Sequence, residues 1–250
     1  MERKKPRLVQ IKKMDKTINM KYFINYASNG FFNSQSIGLD SANRFGFKSV
    51  GYTNSNLDKD FTSKNDKILS SPRGGGYWIW KPYIILDMLN KINDGDYLIY
   101  MDSGACLTGD PTNYLEMIDD RGILSFSMIQ KTSKWTKGDC FFEINKDNKS
   151  DFINSNQVQG TYIFFRKCEY SLSFVKKWLS LCEKENLITD QPNINMNNFD
   201  DFIDHRHDQA IFSLLIYNEG IMSVPQIDQY CVEHGLGLDR QIVNRHGIRN

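Results

Sequence analysis

The sequence is short of the features that would set it apart from ordinary globular chains. Its 250 residues include only 5 cysteines, 6 prolines and 4 histidines. Cys106, Cys140, Cys168, Cys182 and Cys231 are odd in number, widely spaced and contain no CxxC pair. That spacing argues against a zinc ribbon or a disulfide scaffold and for reduced thiols. No apolar run approaches the roughly 18 residues of a membrane span. The basic opening MERKKPRLVQIKKMDK is not followed by an apolar stretch, so no secretory signal is visible and a cytoplasmic protein is expected. Net charge is also small, at +1, but unevenly spread: Met1 to Lys16 holds seven Lys/Arg against two Asp/Glu, which leaves 24 basic and 28 acidic residues for the rest. A nucleic-acid-binding body carries a basic stripe, so nucleic acid is not an expected partner. The tail is either a solvated end or a peripheral contact to an anionic membrane, each cation there contributing on the order of 1 kcal/mol.

With 40% hydrophobic and 13% aromatic residues, the chain can bury a substantial core. Lys21 to Tyr26 reads as a strand, Ser36 to Phe45 as a helix and Lys48 to Tyr52 as a second strand. Strand, helix and strand at this spacing predict a parallel crossover unit. An amphipathic helix is expected over Tyr83 to Ile92, and the apolar Tyr97 to Met101 fits a central strand covered on both faces. A helix at Thr112 to Asp119 and a strand at Ile123 to Met128 follow. The polar stretch from Lys131 to Ser150 reads as a mobile segment over a site. A strand at Val158 to Arg166, a helix at Ser171 to Glu183, a Pro/Asn-rich loop at Thr189 to Asn198 and a helix at Asp208 to Tyr217 complete the order. No internal repeat or linker interrupts it. The expected fold is one α/β domain over residues 21–250, with a central mostly parallel sheet flanked by helices, behind a basic tail over 1–20.

Three stretches carry chemistry. The strand YLIYM delivers Asp102 and the Ser103-Gly104 turn to the carboxyl end of a sheet, where open α/β folds bind ligands. A carboxylate there either holds a hard divalent cation or caps the next turn. In Arg73-Gly74-Gly75-Gly76-Tyr77-Trp78-Ile79-Trp80-Lys81-Pro82 the glycines permit close backbone approach, while Arg73 and Lys81 offer cations for phosphate. No Lys-Ser/Thr follows at P-loop spacing. In Asp204-His205-Arg206-His207-Asp208-Gln209 the two histidines share a face only if the chain is extended. Asp208 either complements a helix N-terminus or reads sugar hydroxyls together with Gln209.

Taken in order, RGGGYWIWKPYIIL, DGDYLIYMDSGA, WTKGDCF, VQGTYIFFR and HRHDQAIFSLL resemble glycosyltransferases of the GT-A (Rossmann-like) type, similar to small sugar transferases of bacterial surface-polysaccharide clusters and of large DNA viruses. For a viral member the expected place is the host cytoplasm or the virion. The resemblance implies transfer of a hexose from a nucleotide-diphosphate sugar to a glycan or glycolipid hydroxyl, the donor bound by residues 21–110 and the acceptor by residues 111–250. It implies a donor site at Tyr26, Ala27, Ser28, Tyr52, Arg73, Lys81, Asp102, Ser103 and Gly104, and an acceptor site at Trp135, His207, Asp208 and Gln209. Asp102 and Asp208 would be catalytic. A Mn²⁺ or Mg²⁺ ion would sit on Asp102 and a late histidine, His246 or His234, although Gly104 stands where the second aspartate of a DxD motif belongs. The rival readings are a sugar nucleotidyltransferase, which wants its Gly-rich loop nearer the N-terminus, and a non-catalytic carbohydrate-binding protein with Trp78, Trp80 and Trp135 as a stacking platform.

Overall fold

A computed structural model describes residues 19–28, 30–145, 151–226 and 243–245. Residues 1–18 of the basic tail, together with Cys231, His234 and His246, lie outside the described residues. The strands are β1 (Lys21–Tyr26), β2 (Lys48–Tyr52), β3 (Tyr97–Met101), β4 (Ala105–Leu107), β5 (Ile123–Lys131), β6 (Asn156–Val158), β7 (Tyr162–Arg166), β8 (Ser223–Pro225) and β9 (Val243–Arg245). The longer helices are α1 (Phe32–Arg44), α2 (Trp80–Lys91), α3 (Gly138–Ile144), α4 (Glu169–Cys182) and α5 (His207–Asn218). β1, α1 and β2 form the predicted parallel crossover, with Tyr26 opposite Tyr52. β3 pairs parallel with the other side of β1.

The main sheet has seven strands in the order β2-β1-β3-β7-β5-β6, with β8 also on β5. β7 runs antiparallel to β3 and β5, β6 antiparallel to β5, and β8 parallel to β5. Five of the seven strands thus share one direction, which is the expected mostly parallel α/β sheet. β3 is buried on both faces: Leu98 and Tyr100 pack into the larger cluster under α2, α4 and α5, Ile99 and Met101 into the cluster on the other side. That period-2 division is what an apolar central strand dictates. Among the described residues no helix is long and apolar enough to cross a membrane, and Cys106, Cys140, Cys168 and Cys182 are free thiols.

Two expectations are corrected. The described part of the stretch after Lys131 is not a mobile cover: Thr132, Ser133, Thr136, Lys137, Asp139, Cys140 and Phe141 are buried. Its polar residues are used inside the fold. Asp139 accepts backbone N–H bonds from Ile194, Asn195 and Met196 at 3.0, 2.8 and 3.2 Å. Burial alone would raise its pKa; those donors outweigh burial and hold it below the usual range. Gly138 permits the loop to come this close, because a Cβ there would stand 2.1 Å from the Met196 carbonyl oxygen. Gly138→Ala is therefore expected to lower unfolding free energy by about 1–3 kcal/mol, the ordinary effect of overpacking. Urea denaturation with an unchanged midpoint would refute that clamp.

The strand expected from Val158 to Arg166 is the second correction. It breaks between β6 and β7, because Gly160 gives its backbone groups to side chains. Its N–H donates to Gln209 Oε1 at 3.1 Å and its carbonyl accepts from Lys81 Nζ at 3.1 Å.

Candidate functional site

The carboxyl end of β3, the β6–β7 break and the N-terminal ends of α2 and α5 meet around one cavity of about 360 Å³. Asp102 follows the last residue of β3, and its backbone N–H donates to the Thr161 carbonyl at 2.7 Å. Tyr100, two residues earlier, donates its hydroxyl to Asp102 Oδ1 at 2.6 Å. Lys81 and Asp208 are the second residues of α2 and α5, and both are buried.

Lys81 sits between two carboxylates. Its Nζ lies 2.8 Å from Asp208 Oδ2 and 3.6 Å from Asp102 Oδ1. The side chains of Lys81 and Asp208 are 4% and 3% exposed, that of Asp102 28%. Burial on its own would favour the neutral amine, but Asp102 and Asp208 outweigh it and hold the Lys81 pKa above the ordinary lysine value. The Asp208 carboxyl is pushed up to about 6, chiefly by burial, with Asp102 adding to the shift and Lys81 opposing it. Asp208 is thus mostly ionised at neutral pH and close to the range where a carboxyl exchanges protons readily.

Five amide side chains, those of Gln130, Gln157, Gln159, Gln209 and Gln226, also line the cavity. Gln209 is oriented by Gly160 and by its own donation to Gln157 Oε1 at 3.3 Å. Gln157 in turn donates to Thr136 Oγ1 at 2.9 Å. The sequence offers one signal for Gln157 and Gln159, their spacing of two, which places both side chains on one face of an extended chain. It offers none for Gln130, which belongs to the site because β5 continues to Lys131, past the expected end at Met128.

A strained segment forms another side. Gly74, Gly75, Gly76, Tyr77 and Trp78 all have positive φ. Glycine adopts that region freely, whereas an aromatic residue there is an outlier held in place by its surroundings. The Tyr77 and Trp78 rings lie 4.9 and 5.6 Å from the His207 ring, and His207 itself has φ 49°. The His205 and His207 rings are 4.9 Å apart, so the two histidines do come together at the start of α5. Arg206 lies over the Trp135 ring at 4.2 Å.

Of the residues singled out from the sequence, Arg73, Lys81, Asp102, Trp135, His207, Asp208 and Gln209 line this cavity. Arg73 is at the rim, paired with Asp190 at 3.1 Å and Asp204 at 2.6 Å. Tyr26, Ala27, Ser28, Tyr52, Ser103 and Gly104 are not among the lining residues. Tyr26 stacks on Trp80 at 3.9 Å, the Ala27 N–H donates to the Tyr52 carbonyl, and the Tyr52 hydroxyl donates to Asp87. Tyr26, Ala27 and Tyr52 are buried, because they supply packing at the ends of β1 and β2. Ser103 and Gly104 form the turn that the Ala105 N–H closes onto the Asp102 carbonyl at 3.0 Å. Trp80 is also buried, so it cannot share an exposed stacking platform with Trp78 and Trp135.

A divalent cation was expected on Asp102 and His246. His246 lies outside the described residues, and no group of three His, Cys, Asp or Glu suited to a metal occurs among the described ones. Asp102 Oδ1 already takes the Tyr100 hydroxyl and faces the Lys81 ammonium. The described donor set does not fit a divalent ion.

No protein-family model matches the chain, and no curated protein matches it. Solved structures similar to it include the WbbM bifunctional glycosyltransferase, at 9% identity and a TM-score of 0.49, over 84% of this chain and 39% of that one. GlyE of Streptococcus pneumoniae TIGR4 is similar at 13% identity and a TM-score of 0.46, over 91% and 55% of the two chains. A glycosyltransferase involved in glycosylation of the major capsid of PBCV-1 is similar at 10% identity and a TM-score of 0.39, over 74% and 82%. The chain therefore spans less than two thirds of the length of WbbM and GlyE. At these identities and scores no residue role passes to this chain, and the cavity is read from its own groups.

Proposed function

We propose that this chain is a glycosyltransferase that moves a hexose from a nucleotide-diphosphate sugar to a hydroxyl of a glycan or glycolipid. The observation that carries the reading is the Asp102–Lys81–Asp208 cluster, set at the carboxyl end of β3 in a cavity that five glutamines also line. Amides and carboxylates are the groups that read hydroxyls in a concave site. In this reading Asp208 takes the proton of the acceptor hydroxyl, and Lys81 keeps that carboxylate ionised and aimed. Arg73 faces the departing diphosphate. Its pairs with Asp190 and Asp204 are about 40% exposed, and such pairs contribute little, so phosphate oxygens can replace them.

A thermal-shift screen of UDP-, GDP- and TDP-sugars, with and without Mn²⁺, tests the proposal. A donor sugar at 100 times its dissociation constant is expected to stabilise the fold by about 2.7 kcal/mol. Indifference to every nucleotide sugar, combined with stabilisation by simple glycosides, would favour a carbohydrate-binding protein and sink the transferase reading. A shift that requires Mn²⁺ would put the remaining metal ligands outside the described residues.

A further inference from the structure

Three cations line the cavity: Arg73, Lys81 and Arg206. Two of them face carboxylates, Lys81 with Asp102 and Asp208, Arg73 with Asp190 and Asp204. Arg206 is held differently. Its guanidinium lies over the Trp135 ring, 4.2 Å from the centroid, and among the described residues no carboxylate pairs with it. The two residues are tied through their backbones as well. The Arg206 N–H donates to the Trp135 carbonyl at 3.0 Å and the Ile203 N–H to the Lys134 carbonyl at 2.8 Å, so a short ladder sets the guanidinium on the indole. Stacking uses the face of the guanidinium and leaves its N–H donors, which lie in the plane, at the edge. Arg206 is exposed and Trp135 half-buried. A ligand therefore reaches this cation without displacing a carboxylate.

A guanidinium oriented in advance suits an oxyanion, which takes two parallel N–H bonds, and stacking has already restricted the rotamers that binding would otherwise freeze. The side of the reaction follows from the chain. Arg206 and Asp208 are two residues apart, so their Cα atoms stand no more than about 7 Å from each other. The Arg206 carbonyl accepts the N–H groups of Gln209 and Ala210 at 3.0 and 3.3 Å as α5 begins. One helix start thus presents both a cation and the base assigned to the acceptor hydroxyl, whereas the departing diphosphate faces Arg73. We infer that Arg206, held on Trp135, is an oxyanion subsite for the acceptor, and that the preferred acceptor carries a carboxylate or phosphate on the accepting sugar or on one linked to it. Because Arg206 is exposed, a neutral sugar leaves its donors to water and is disfavoured, not excluded. The inference rests on the transferase reading, which assigns Asp208 to the acceptor, but the preference for an anion is measurable without turnover.

The test measures binding to the full chain by calorimetry, with methyl glucuronide and glucose 6-phosphate as charged probes, methyl glucoside as the neutral control and UDP as the donor-side probe. At least one charged sugar is expected to bind about tenfold more tightly than methyl glucoside, the equivalent of one charge-assisted hydrogen bond. The tighter of the two tells a carboxylate from a phosphate. Arg206→Gln changes an exposed side chain that the fold should tolerate, and it is expected to bind charged and neutral sugars alike. With ¹⁵N-labelled tryptophan, the Trp135 indole resonance, identified by its absence from Trp135→Phe, is expected to move when the charged sugar binds. Equal binding of charged and neutral sugars by the native chain, no binding of either charged sugar, a preference that survives Arg206→Gln, or an unmoved Trp135 resonance would each overturn the inference. Loss of UDP binding in Arg206→Gln would overturn it too, by moving this cation to the donor side. An Arg206-dependent preference without any response to nucleotide sugars would sink the transferase reading alone. Nucleotide-sugar binding without the preference would sink this inference alone.

Discussion

Replacing Lys81 by methionine is expected to lower unfolding free energy by about 3–5 kcal/mol at pH 7, the usual cost of removing one partner from a buried ion pair. Methionine keeps the helix propensity and most of the side-chain volume, so the loss comes from the ammonium, through its charge and its hydrogen bond to the Gly160 carbonyl. Without the ammonium, Asp208 is a carboxylate 2% exposed whose Oδ2 has lost the cation 2.8 Å away. The pH dependence identifies the mechanism. In the native protein the Asp208 pKa stands at about 6, above the carboxyl's ordinary 3.8. The folded state therefore holds more protons than the unfolded state between those values. Stability contributed by this group is fully present below the unfolded pKa and is lost as pH rises through the folded one. Removing Lys81 takes away an influence that lowers the Asp208 pKa, so the variant should recover part of its deficit when pH falls from 7 to 5. Urea denaturation at both pH values measures this. Equal deficits at the two values, or a loss below about 1 kcal/mol, would show that the pair is not the element that holds Asp208 ionised.

The fold is legible where β-branched and aromatic residues form compact runs. β1, β2 and β3 begin and end where the β-branched and aromatic runs do. α1 is harder: it starts at Phe32, four residues before its expected beginning, because its buried face is made of Ser34, Gln35, Gly38, Ser41 and Ala42. A face of small and polar residues leaves no hydrophobic periodicity to detect. Gly38 explains the choice, since a Cβ there would stand 2.9 Å from Asn25 Nδ2. The helix lies directly on the sheet. β4, β8 and β9 are three residues each, too short for alternation to register.

For the site, residue types are legible and their pairing is not. The apolar strand ending in Asp102 and the Asp-Gln before an apolar helix identify both carboxylates. Nothing in a linear sequence shows that α2 and α5 start beside one another, so Lys81 reads as a free cation for phosphate, whereas the fold sets it between Asp102 and Asp208. The glycine run likewise announces a close approach without announcing that Tyr77 and Trp78 will share its left-handed path. That strain depends on tertiary contacts with His207, which are long-range.

Asp208→Asn is expected to reduce the rate of transfer about 100- to 10,000-fold, the range spanned by general acid–base catalysis. Asparagine matches the carboxylate in shape and leaves Lys81 its contact with Asp102, so the fold should survive. The diagnostic is again the pH profile. With Asp208 as the base, kcat/KM of the native protein should rise with pH through an apparent pKa near 6 and then level off. The sign follows from the protonated carboxyl being unable to accept the hydroxyl proton. In Asp208→Asn that rising limb should vanish along with the rate. Asp102→Asn provides the contrast: it removes a neighbour that raises the Asp208 pKa, so any residual activity should show its limb displaced to lower pH. A native profile flat between pH 5 and 7, or an Asp208→Asn variant that keeps the limb, would move the proton transfer to another group and leave Asp208 as a carboxylate that only orients the sugar.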